Sequence, residues 1–320
     1  MHRLSRSDLE AHVDSWDAVV ERDDALDPFC ARSAWQLSYH DAFAPERPLW
    51  LACEDGAVVV LAERADPAGA PVLESLENMW GLSPALLGPA AGELLARSLV
   101  DEPVAVLLSG LPFDRKRFAP LLRALEGRYS VRAFESSRRF VASLDGGIDG
   151  WLARRSRSFR RSLRGSLRRV ADHGIEFRCA ETSDVSRLGP LYDRVLAIEA
   201  RSWKGAAGNG ANVEPMSSFY RLMWPRLAAA RQLRLLFAER DGKDLGYLHG
   251  GLVGSSFRGL QFSFDDELRD AGLGNALQFE MLKRLCDEGA TDYDLGSRSE
   301  YKSRWAEQTL QSVGLYLLPR

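Results

Sequence analysis

The stretch FRGLQFSFDDELRDAGLGNALQFEMLKRLCDEG, Phe257 to Gly289, decides how the rest of the chain is read. It opens as a strand, passes through Arg269-Asp-Ala-Gly272-Leu-Gly274, and becomes a helix over about Asn275–Glu288. Leu277, Met281, Leu282 and Leu285 recur at helical spacing and form a buried stripe. Gly289 follows as a C-cap. No acidic residue stands in the first turn, and two glycines precede it. Amides at a helix start are unpaired and carry partial positive charge. Gly272 and Gly274 lack the Cβ atoms that would hold an anion away. The expectation is a diphosphate clasped by the amides of 272–275, with Arg269 adding a charge-assisted contact. A glycine pair alone serves a tight strand–helix turn equally well, so the context decides.

Upstream, LRLLFAERDGKDLGYLHGGLVGSSFRGLQFSF holds three strand-like runs joined at Asp241-Gly242-Lys243 and Gly254-Ser255-Ser256. Both joints are chemistries of antiparallel turns. A dinucleotide fold would set its glycine loop after a first parallel strand; here the loop follows an antiparallel meander. Downstream, ATDYDLG reads as a short strand, SEYKSRWAEQ as a short helix or turn, and VGLYLL as a last strand. SRLGPLYDRVLAIEARSW and SSFYRLMWPRLAAA read as helices before the meander. The N-terminal half repeats this order without the glycine loop: a helix from Ser33 to Ala42, a hairpin around Asp55-Gly56, then GELLARSL, PVAVLLSG and RFAPLLRALEG as helix, strand and helix. The expected fold class is α/β (α+β), one architecture used twice, each copy a mixed, mostly antiparallel sheet flanked by helices. The expected domains are 1–146, a connecting segment 147–173, and 174–320.

That connecting segment, GWLARRSRSFRRSLRGSLRRVADHG, places Leu152, Phe159, Leu163, Leu167 and Val170 on one helical face. Arg154, Arg155, Arg157, Arg160, Arg161, Arg164, Arg168 and Arg169 occupy the rest, with only Asp149 and Asp172 opposing them. Three readings are open: a solvated helix bridging two domains, a receptor over 150–170 for a polyanion such as a phosphorylated cofactor or tRNA, or a membrane-surface helix. The whole chain carries a net charge of −3, which argues against a dedicated nucleic-acid binder. Its 320 residues suffice for two domains. No apolar run approaches a bilayer span, and the start, MHRLSRSDLEAHVDSW, lacks the apolar segment of a signal peptide. Cys30, Cys53, Cys179 and Cys286 are scattered, so neither a disulfide framework nor a metal site is expected, and the cytoplasm is the expected location.

The meander, RDAGLG and the following helix resemble the Gcn5-related N-acetyltransferase (GNAT) superfamily. Its acyl-CoA loop runs Arg/Gln-x-x-Gly-x-Gly/Ala between the fourth strand and a helix. ARSW at 200–203, YDLG at 293–296 and EYKSRW at 300–305 extend the resemblance over about 150 residues, to the CelD/BioF2-like acetyltransferase group. That group is akin to the FemABX peptidyltransferases, which have tandem domains of this type. The resemblance implies a degenerate GNAT-like domain at 1–146 and an acyltransferase domain at 174–320. It implies an acetyl-CoA or other acyl-CoA co-substrate, with Arg269, Gly272, Leu273, Gly274, Asn275 and Phe264 as the residues that hold it.

N-acyl transfer needs a neutral amine, a stabilised oxyanion and a protonated leaving thiolate. Backbone amides around Phe262–Phe264 are placed to support the oxyanion. The resemblance puts Tyr301 where the superfamily often keeps a thiolate-protonating tyrosine, and Lys302 where FemABX-like enzymes place a lysine near the reacting carbonyl or a phosphate. Each has a plain alternative, a packing tyrosine and a surface lysine. Asp294, at the end of a central strand, is the first choice for the base, with a loop-fixing carboxylate as its alternative. Glu199, Arg201, Trp203 and Asp265 are the expected acceptor-binding residues, Arg201 by bidentate contact with a carboxylate. His249 reads as a satisfied structural histidine, Trp305 and Tyr293 as core. The glycine- and asparagine-rich 204–215 reads as a mobile loop, a lid over the acceptor. The expected function is transfer of an acyl, first of all acetyl, group from acyl-CoA to the amine of a small-molecule or peptide-like acceptor. The alternatives are an aminoacyl-tRNA-dependent peptidyltransferase and a non-catalytic acyl-CoA-binding accessory protein.

Overall fold

The computed structural model describes residues 1–208, 210–297 and 299–320, with the backbone alone at Arg115. The chain forms two compact units, one of residues 1–138 and 311–320, the other of 139–310.

The first unit begins with β1 (His2–Leu4), α1 (Arg6–Glu10), α2 (Val13–Glu21) and α3 (Ser33–Phe43). The Asp55-Gly56 hairpin is present, joining β2 (Leu49–Glu54) to β3 (Ala57–Ala65). β4 (Pro71–Glu74), β5 (Leu86–Leu87), α4 (Ala91–Asp101), β6 (Ala105–Pro112) and α5 (Arg115–Ala124) follow, and then β7 (Tyr129–Ser143). β2 and β3 alternate little in polarity because both faces of β3 are covered, and Ala57 to Ala62 are all buried. The core gathers Val59, Leu61, Leu73, Leu95 and Leu108 with Leu121 of α5. The buried Glu77 carboxylate accepts from the amides of Trp80, Gly81, Leu82 and Ser83, which fixes the loop before β5.

The second unit holds α6 (Gly147–Ala153), α7 (Arg157–Asp172), β8 (Glu176–Cys179), α8 (Leu188–Ala200), α9 (Trp203–Ala206) and α10 (Met216–Ala229). The meander is β9 (Leu233–Arg240), β10 (Lys243–Val253) and β11 (Ser256–Phe264). α11 (Leu273–Asp287), β12 (Asp292–Ser297) and β13 (Gln308–Pro319) complete the chain. Its strands run β7-β12-β11-β10-β9-β8, antiparallel except for the β11–β12 pair. The core packs Leu273, Leu277, Met281 and Leu285 of α11 against Leu236, Leu248 and Phe257.

Two expectations about domain limits need correction. The chain leaves the first unit within β7, where 139–143 pair with β12, so the expected limit at 146 comes too late. The last strand does not stay with 174–320: Ser312 to Leu317 pair with Val106 to Pro112 of β6, in the first unit. The basic segment is likewise no bridge. It breaks at Arg154–Ser156 into α6 and α7, and Leu163 and Val170 of α7 are buried in the second unit's core. Trp151 packs against Trp305 in a tilted pair, ring centroids 5.4 Å apart, and donates its indole N–H to the Trp305 carbonyl, which makes Trp305 a packing residue.

Candidate active site

The site of the second unit follows from a strand pair that comes apart. β11 and β12 pair in parallel only from Ser256↔Asp292 to Arg258↔Asp294. Beyond Arg258 the β12-facing edge of β11 has no strand partner among the described residues. The β10–β11 register also shifts there: His249 faces Gln261 while Gly250 faces Gly259, so Leu260 is the extra residue of a bulge. A cavity of about 440 Å³ opens along this edge, lined by Gly259 to Phe264 and by Trp203, Lys204, His249, Gln278, Tyr301 and Lys302 among others.

Asp294 holds the still-paired end together. Its Oδ2 accepts from Arg139 and Arg258, each at 2.7 Å, and its Oδ1 from the Gly296 amide at 2.7 Å. Burial pushes this carboxyl up, but Arg258 and Arg139 hold it below its ordinary value. Its two guanidinium partners and lowered pKa make it a weak proton acceptor near neutrality. Arg201 and Asp265 pair with each other at 3.1 Å, with Arg201 also on the carbonyls of Ala197 and Asp244. They staple the end of α8 to the end of β11 rather than line the cavity. Glu199 is fully buried and accepts from Tyr247 Oη, Gln261 Nε2 and the Ala211 amide. Trp203, 47% exposed, is the one expected acceptor-binding residue on the cavity wall.

Tyr301 and Lys302 meet the cavity side by side. Burial pushes the Tyr301 phenol up to about 12, so it is a protonated donor at neutral pH, though two-fifths of the residue is open to solvent. Burial first, then the charge of Arg258, brings the Lys302 amine down to about 8, while its Nζ donates to the Ser297 carbonyl at 3.0 Å. Tyr293 is core, as expected, with its hydroxyl donating to Gln278 Oε1.

The glycine loop is as predicted in backbone and different in surroundings. Gly272 sits at φ 79°, in the left-handed region, and caps the start of α11. The Gly272 amide donates to Arg269 and that of Asn275 to Gly272, whereas the Leu273 and Gly274 amides have no acceptor among the described residues. A Cβ on Gly272 would collide with the Ser166 side chain of α7, and one on Gly274 would lie 2.7 Å from Phe264 Cε1. The glycines therefore admit neighbouring protein as well as leaving amides bare. Arg269 turns to Asp266, with contacts at 3.0 and 2.6 Å. Its expected place is taken by α7, whose Arg169 guanidinium and Ser166 hydroxyl gather with the Asn275 amide beside the loop.

Sequence reasoning missed Lys204. α9 is a single turn capped by Ser202, whose Oγ accepts from Gly205, and it delivers Lys204 Nζ to the Phe262 carbonyl at 2.6 Å on the free strand edge. The expected lid is thus anchored at its start; Asn209 within it lies outside the described residues. His249 was also misjudged. Its Nδ1 accepts from Trp224 Nε1 at 3.4 Å, but its Nε2 has no partner among the described residues.

The family model described as an acetyltransferase (GNAT) domain matches residues 157–303, inside this unit. Residues 157–303 form a GNAT domain. Solved structures share the fold over nearly the full chain. A conserved protein of unknown function from Bacteroides thetaiotaomicron is 13% identical, covering 96% of this chain and 97% of its own, with a TM-score of 0.64. FemX is 13% identical over 100% and 98%, with a TM-score of 0.63. L-PGS from Bacillus licheniformis is 13% identical over 95% and 91%, with a TM-score of 0.60. No curated protein matches the sequence. Outside the GNAT domain and within it, no helix among the described residues is long and apolar enough to cross a membrane. No group of three or more His, Cys, Asp or Glu among them is placed to hold a metal ion.

Proposed function

We propose that the GNAT domain is an N-acyltransferase that moves an acyl group, first of all acetyl, from acyl-CoA to an amine of a small-molecule or peptide-like acceptor in the cytoplasm. The observation that carries this reading is the free edge of β11, which opens beside the left-handed start of α11. A thioester laid along that edge meets backbone donors at the Leu260 bulge. Its diphosphate meets the Leu273 and Gly274 amides with Ser166, Arg169 and Asn275 around them.

In the reaction the amine nitrogen bonds to the acyl carbon, the C–S bond breaks, one proton leaves nitrogen and one reaches sulfur. Lys302 is the proton acceptor in this proposal, because its amine titrates near the working pH. Tyr301 supplies the proton to sulfur, because its phenol stays protonated. The test is incubation with radiolabelled acetyl-CoA and an amine panel, alongside native mass spectrometry of the purified protein. Label on an amine supports the reading; tight CoA binding with no transfer to any amine sinks it in favour of a non-catalytic binder.

A second reading keeps the site and changes the donor to aminoacyl-tRNA. Its support is the exposed face of α7, where Arg157, Arg161, Arg164 and Arg168 carry no carboxylate partner among the described residues. Binding of tRNA with a steep salt slope, and aminoacyl transfer without CoA, would favour it.

A further inference from the structure

Three polar atoms of the cavity wall, His249 Nε2, Ser263 Oγ and Ser299 Oγ, have no hydrogen-bond partner among the described residues, and Lys204 lines the same cavity with a single acceptor. Lys204 Nζ spends one N–H on the Phe262 carbonyl and meets no carboxylate among the described residues. The acid whose charge acts on it is Glu199, and its oxygens already accept from Tyr247, Gln261 and Ala211. His249 is fully buried, and its tautomer is set by its neighbour. The Trp224 indole can only donate, so Nδ1 must accept and the proton resides on Nε2. Burial first, then the charge of Lys204, brings the imidazole down to about 3, so it stays neutral and keeps that single Nε2–H. Tyr220, Trp224 and Tyr247 pack around the ring and hold its direction. Ser263 Oγ, on a residue 2% exposed, and Ser299 Oγ also have no partner among the described residues.

A half-buried cation with one acceptor, and a buried N–H and a buried hydroxyl with none, each cost free energy unless a ligand supplies a partner. All three border one cavity, which also carries Lys302, so it favours negative charge over positive. We infer that Lys204, His249 Nε2–H and Ser263 bind the carboxylate of the acceptor, which is therefore an amino acid or a compound with a free carboxylate near its amine. This rests on the cavity being the acceptor site of the proposed N-acyltransferase. The same positive wall disfavours the ammonium form of the acceptor's other end and so favours the neutral nucleophile.

The experiment uses the full chain with saturation-transfer NMR for binding and thiol release from acetyl-CoA for turnover. The probes are amino acids of two to four carbons, the carboxamides of the same length, simple alkylamines and phosphoethanolamine. The expected result is that the amino acids bind at least tenfold more tightly than the carboxamides and alkylamines. Lys204→Met and His249→Phe should erase that preference, and His249→Gln, which restores an N–H near Nε2, should recover part of it. Equal binding of amino acids and carboxamides, or preference for phosphoethanolamine, overturns the inference. So does a loss of kcat in Lys204→Met with KM unchanged, which would assign these donors to the oxyanion instead. If no amino acid binds but other amines are acylated, the inference fails and the acyltransferase reading stands. Should His249→Phe fail to fold, Lys204→Met and His249→Gln still decide.

Discussion

Asp294 and Lys302 show how partners decide which of two buried or half-buried ionisable side chains keeps its charge. Asp294 is held by two guanidinium groups, and its folded-state pKa lies below the ordinary value. Its stabilisation is present above the unfolded value of about 3.9 and is lost as pH falls through the lower folded value. Asp294→Asn should cost about 3–5 kcal/mol in urea denaturation, since it leaves Arg258 buried beside a neutral group. A small stability change with a large loss of activity would instead return Asp294 to catalysis. Lys302 has no such ion pair among the described residues, and burial brings its amine down to about 8. Acyl transfer should therefore rise with pH through about 8 and level off. Burial lowers that value most, Arg258 and Lys204 add to it and Asp294 opposes them, and Lys302→Gln should remove the inflection from the kcat profile. An unchanged profile in Lys302→Gln would move the proton to another acceptor.

At the scale of elements, the start of α11 is a junction of three pieces of chain. Gly274 lets Phe264 of β11 pack against the helix, and Gly272 lets α7 approach through Ser166. Gly274→Ala should lower stability by about 1–3 kcal/mol through overpacking, despite alanine's better helix propensity. Adding Phe264→Leu should restore part of it in thermal denaturation. No recovery in the double variant would mean that Phe264 is not what the glycine accommodates. The strands, helices and glycine turn here were legible, because periodicity and turn chemistry are local. Lys204, the orphaned Nε2 of His249 and the approach of Ser166 were not. Each depends on which residues meet across the sheet, and nothing in KGAAGNG or LHGG marks a direction in space. The pairing of Arg201 with Asp265 was hidden for the same reason: both are types that bind ligands, and only their 3.1 Å contact shows that they also hold each other.

Across the molecule, sequence order does not divide the two units cleanly. β7 runs through 15 residues, and its polar middle, Arg132 to Arg138, hid it from a search for alternating apolar positions. β13 reads well as a strand, but its partner, β6, lies some 200 residues earlier, at 106–112. Leu315 and Leu317 of β13 are buried in the first unit's core. A chain ended after Glu307 should lose the protease resistance of the first unit while residues 139–307 keep more of theirs, as measured by limited proteolysis with mass spectrometry. Equal resistance of both units would mean that β6 tolerates an open edge.

The return of 312–317 to β6 also sets a timetable for biogenesis. A ribosome adds about 5–20 residues per second, and the strand that closes the first-made unit emerges only after the whole of the second has been synthesised. Until then the nascent chain carries β6 with one edge unpaired, a template for association with other chains and a natural target for a chaperone.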